Sequence, residues 1–113
     1  MQKQLDALRG ELNVLAARVS TMEYNNTSRR VNSALSKYTD ILSSMKSLQA
    51  GHLGTPIYNF PPLVEDLLSL DISEVRRLLS HLTTASDAVM ERLTDTQKWR
   101  MLNQEVGAIR FGR

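Results

Sequence analysis

Acid–base, metal and nucleophilic chemistry would have to come from histidine, carboxylate and cysteine side chains, and their placement in this chain favours none of the three. His52 and His81 stand far apart, and neither has a carboxylate at the helical spacing that a metal site on one helix face requires. Glu65 and Asp66 are adjacent. Neighbours on a helix point in different directions, so the pair reads as charge that stabilises a helix N-terminus rather than as an acid–base couple. The chain has no cysteine, which removes disulfides, thiolate zinc sites and cysteine nucleophiles. It also has no glycine-rich phosphate loop, no Gly-x-Ser-x-Gly and no His-Glu-x-x-His. The expectation is a non-enzymatic protein with no catalytic residue, no metal and no cofactor.

Binding chemistry is the next question. The formal net charge is +2. Residues 1–60 carry seven Lys or Arg against four acids, and the remainder carries seven against eight, so the basic excess lies in the N-terminal half. Nucleic-acid binding is one reading, with Arg76, Arg77, Lys98, Arg100, Arg110 and Arg113 as phosphate contacts on short helices, a layout similar to small helix-extended-helix DNA-binding modules. Eight acids in the same half and a single concentrated basic pair, Arg29-Arg30, weigh against it. A membrane-surface helix over 31–48 has only Lys37 and Lys46 to attract anionic lipid, with Asp40 offsetting one of them, and ranks last.

The strongest pattern concerns assembly. Met1, Leu5, Leu8, Leu12, Leu15, Val19 and Met22 follow one another at alternating spacings of four and three. They form a heptad with Leu5, Leu12 and Val19 at a, and Met1, Leu8, Leu15 and Met22 at d. So narrow an apolar seam is best covered by copies of itself, and residues 1–24 read as a parallel coiled-coil segment. Arg18, Val19, Met22 and Glu23 fall at g, a, d and e, and resemble the Arg-h-x-x-h-Glu trimerisation motif of short parallel coiled coils. That resemblance implies a homotrimer, with a dimer as the alternative. Leu at both a and d does not oppose three strands.

Beyond Met22 the register places Asn26 at a and Arg29 at d, so the apolar seam ends near Tyr24. A second stripe, Val31, Leu35, Tyr38, Leu42, Met45 and Leu48, predicts that helix continues, or resumes after Asn25-Asn26-Thr27-Ser28, to about Gln49 and contributes over 25–50 to a bundle. Gly51, Gly54, Pro56, Pro61 and Pro62 then define a Gly/Pro strap over 51–62, with Ile57 and Phe60 as its apolar anchors. Residues 63–113 predict short helices: one opening at Pro61-Pro62, one capped by Asp71 with Val75, Leu78, Leu79 and Leu82 on a face, one capped by Ser86, and one started by the Thr94…Gln97 capping box and carrying Trp99, Leu102, Val106 and Ile109.

Arg30-Val31-Asn32-Ser33, the segment Pro56-Ile57-Tyr58-Asn59-Phe60-Pro61, and Asp66-Leu67, Leu70, Val75 and Leu78-Leu79 are similar to a group of small fungal proteins that join an N-terminal coiled coil to a Pro-Ile-x-Asn-Phe-Pro segment and a short helical tail. The resemblance implies a shared architecture and no transferable activity. The charged, periodic start predicts no secretory signal, and no apolar run approaches the ~20 residues of a membrane span, so a cytoplasmic or nuclear location without membrane attachment is expected. The sequence thus predicts an all-α chain: a parallel coiled coil, a small helical bundle and an extended Pro-rich strap. The function expected is a homo-oligomeric scaffold or adaptor that presents several copies of a helical protein-interaction module to a protein partner.

Overall fold

A computed structural model describes residues 2–49, 51–83 and 87–108. Among these residues there are five helices: α1 Gln2–Ser33, α2 Val64–Leu68, α3 Ile72–Leu82, α4 Asp87–Glu91 and α5 Asp95–Val106. Helix accounts for 63% of the described residues, and strand pairing is confined to two isolated antiparallel bridges, so the chain is all-α as expected.

Cap chemistry fixes the short helices. Asp71 Oδ1 accepts from the Glu74 amide at 2.9 Å and starts α3. Thr94 Oγ1 accepts from the Gln97 amide while Gln97 Oε1 accepts from the Thr94 amide, which closes the capping box of α5. Asp66 Oδ2 accepts from the Leu63 amide at the start of α2, just past the two prolines. At the other end of α5, Gly107 takes the left-handed conformation at φ 93°. It has a second reason to be glycine, since a Cβ there would lie 2.3 Å from the Arg29 carbonyl oxygen of α1.

The amphipathic faces of α3 and α5 pack together and form the centre of the core. Val75, Leu78, Leu79 and Leu82 of α3 meet Trp99, Leu102 and Val106 of α5, joined by Leu42, Met45, Ile57, Val64 and Leu67. Both strap anchors contribute, Ile57 fully and Phe60 in part. Arg77 of α3 holds the strap from outside, its guanidinium donating to the carbonyl oxygens of Tyr58 at 2.6 Å and Asn59 at 3.1 Å.

One expectation is corrected. Helix runs unbroken through Asn25–Ser28 but stops at Ser33, and residues 34–49 do not continue it. They are mostly extended and run antiparallel to the strap: the Leu42 amide donates to the Pro62 carbonyl, the Ser47 amide to the Thr55 carbonyl, and the Ile57 amide to the Met45 carbonyl. Leu42 and Met45 are buried all the same, whereas Val31 and Tyr38 of the same stripe stay exposed. The physical reason lies in Ser36, Ser43, Ser44 and Ser47, hydroxyl residues that compete for backbone hydrogen bonds, and in α1, whose side chains supply the bonds this segment would otherwise make within a helix.

Candidate interaction surfaces

Two faces of α1 do different work. On the first, a polar ladder binds the extended segment. Thr21, Asn25, Ser28 and Asn32, spaced four, three and four apart, are the buried residues of α1. Asn25 Nδ2 donates to the Lys46 carbonyl at 2.9 Å, and its Oδ1 accepts from the Lys46 amide at 2.8 Å. Ser28 Oγ donates to the Ser44 carbonyl at 2.8 Å. Asn32 Nδ2 donates to the carbonyls of Ser43 and Val106, and its Oδ1 accepts from the Ser43 amide at 2.7 Å. The two asparagine amides each reproduce a peptide group, so the helix presents a substitute strand edge to residues 43–46. These contacts satisfy main-chain groups that would otherwise be buried without partners. Their signal was in the sequence, as a heptad-like spacing of polar residues at positions c and g.

The second face is the apolar one. Leu5, Leu8, Leu12, Leu15, Val19 and Met22 are between 47% and 64% exposed, and every residue from Gln2 to Ser20 is exposed. Met1 lies outside the described residues. At ~1.5 Å of rise per residue, close to 30 Å of α1 stands clear of the body, in a molecule 56 Å long. At ~100° per residue, the a/d seam lies roughly 110° around α1 from the c/g ladder, so the docked body leaves the seam open. Arg18 and Glu23, which flank the seam, make no hydrogen bond or ion pair through their side chains among the described residues.

Where the bare helix meets the body there is a cleft of about 490 Å³. Arg18, Met22, Asn25, Asn26 and Arg29 form its helical wall, and Leu48, Leu82, Thr83 and Glu105 its opposite wall. Arg29 ties the two walls together: its Nε donates to the Glu105 carbonyl at 2.9 Å, its Nη2 reaches Glu105 Oε2 at 3.2 Å, and its Nη1 donates to Asn26 Oδ1.

The fold brings His52 and His81 together, which their sequence separation does not suggest. Their rings meet edge to face with centroids 5.9 Å apart, and Ser47 Oγ lies 2.7 Å from His81 Nδ1. Burial foremost, then the Arg77 charge and His52, hold the His81 imidazole below its ordinary value. No group of three or more His, Cys, Asp or Glu that could hold a metal occurs among the described residues. Glu65 and Asp66 sit in the first turn of α2, with Asp66 capping it.

Among the described residues, the basic side chains named from the sequence differ in their settings. Arg77 is taken up by Glu74 and the strap carbonyls, Lys98 is buried, and Arg76 and Arg100 are exposed. Arg110 and Arg113, like Ser86 and Ile109, lie outside the described residues. No described helix is long and apolar enough to cross a membrane. Comparison with protein-family models, with curated proteins and with solved structures gave no match to this chain.

Proposed function

We propose that the chain is a non-enzymatic homo-oligomeric scaffold or adaptor, in which residues 1–24 form a parallel coiled coil and the body is a protein-interaction module presented in several copies. The observation that carries this reading is the projecting, unpartnered apolar seam from Leu5 to Met22. Soluble monomers rarely display so contiguous an apolar surface, and an isolated helix has little stability of its own in water. Covering each Leu, Val or Met contributes ~1.5 to 3 kcal/mol. Six such positions per chain are of the size needed to offset an association cost of ~4 to 15 kcal/mol. Arg18 at g and Glu23 at e support a trimer, with a dimer the alternative. Multiplying the module raises its avidity for a partner without any new contact. The location that fits this role is cytoplasmic or nuclear.

The test is to replace Leu12 and Leu15 together by Glu and to measure mass by light scattering alongside Trp99 fluorescence. The proposal requires a monomer whose tryptophan emission is that of the wild type, since Trp99 belongs to the body. An unchanged mass would overturn it.

A further inference from the structure

We propose that each cleft beside the seam is completed by α1 of the next copy, with Glu23 of that copy against Arg18 and Arg30 of that copy against Glu105. This inference rests on the coiled-coil reading and adds to it the place where the body enters the interface. In a parallel coil, the g position of one helix faces the e position of its neighbour in the following heptad, so Arg18 faces Glu23 and Asn25 faces Arg30. Asn25, however, is already committed to both backbone groups of Lys46. The acidic group beside it is Glu105, brought there by Arg29 from the C-terminal turn of α5. Only one Glu105 carboxylate oxygen is engaged by Arg29, and the side chain is about a third exposed.

The charges therefore match in order. Down the cleft, Arg18 carries a positive charge with no side-chain partner among the described residues, and Glu105, paired with Arg29 through one carboxylate oxygen, presents the other. Down the e positions of α1 the signs run negative at Glu23, then positive at Arg30. Both e-position residues are exposed, and neither has a side-chain hydrogen bond or ion pair among the described residues. The same geometry explains why the seam stops. Past Met22 the chain's own body covers the g positions Asn25 and Asn32 and holds the d position Arg29, so a neighbouring helix cannot keep its place along the g side. It crosses the mouth of the cleft instead and leaves.

Because the natural chain has no cysteine, engineered thiols report this contact without background. A chain carrying only Arg30→Cys is allowed to exchange with a size-tagged chain carrying only Glu105→Cys, and the mixture is oxidised. The mixed disulfide is expected to be the dominant crosslinked product. Glu105→Cys removes the ion pair to Arg29, so Leu48→Cys on the same wall serves as a second partner thiol with the same expected product. An oligomer by mass that gives no mixed disulfide with either thiol overturns this inference and leaves the coiled coil standing. A monomer by mass overturns both.

Discussion

Asn32 joins three pieces of the molecule through one side chain. Both hydrogens of its amide are donated, to Ser43 and Val106, and its oxygen accepts from Ser43. Alanine in its place strands three main-chain groups, each worth ~1 to 3 kcal/mol when buried without a partner, so Asn32→Ala is expected to lower stability to urea by at least about 2 kcal/mol. Asn103 makes an instructive contrast. It is equally buried, yet neither its Nδ2 nor its Oδ1 has a hydrogen-bond partner. Asn103→Ala removes a desolvated amide together with its packing, and is expected to stay within about 1 kcal/mol of the wild type. His81 supplies the pH dependence. Its folded imidazole titrates below the ordinary value of about 6.5, so the unfolded chain takes up the proton first as pH falls. The contribution is complete above that value and is lost as pH drops from it toward the lower folded value. The urea midpoint should therefore fall between about pH 7.5 and about pH 5.5, and His81→Gln should flatten that part of the curve.

At the scale of elements, the docking of α5 against α1 is set by the close approach at Gly107. Alanine there meets the α1 backbone and must also hold a left-handed conformation, which costs ~1 to 2 kcal/mol before any clash. Gly107→Ala is expected to lower the thermal midpoint by several degrees, readable by circular dichroism. The helices of this docked body were legible because their signals are local. Asp71 and the Thr94…Gln97 box announce starts, and Val75, Leu78, Leu79 and Leu82 announce a buried face. Residues 34–49 were not legible, because the apolar spacing of Leu35, Leu42 and Met45 suits a helix while the hydrogen bonds that decide the matter come from Asn25, Ser28 and Asn32, distant in sequence. Polar residues ordinarily signal solvent. Here their spacing of four, three and four marks a helix face that binds backbone, and Asn25–Ser28, which resembled a helix break, is the middle of that face.

For the molecule as a whole, two faces of one helix differ: the c/g ladder fastens the body, and the a/d seam stays exposed, which is the face the proposed coiled coil would use. The seam and its flanking Arg18 and Glu23 could be read from the sequence, since heptad spacing is a property of one helix. The cleft could not, because Glu105 reaches α1 only through the fold of the body. The most direct test of the assembly is the mass of the wild-type chain at sedimentation equilibrium, at concentrations well above micromolar. A particle of three chains, each of 12.8 kDa, is expected; two chains would keep the coiled coil and overturn the role given to Arg18 and Glu23, and a particle of one chain would contradict assembly through the seam.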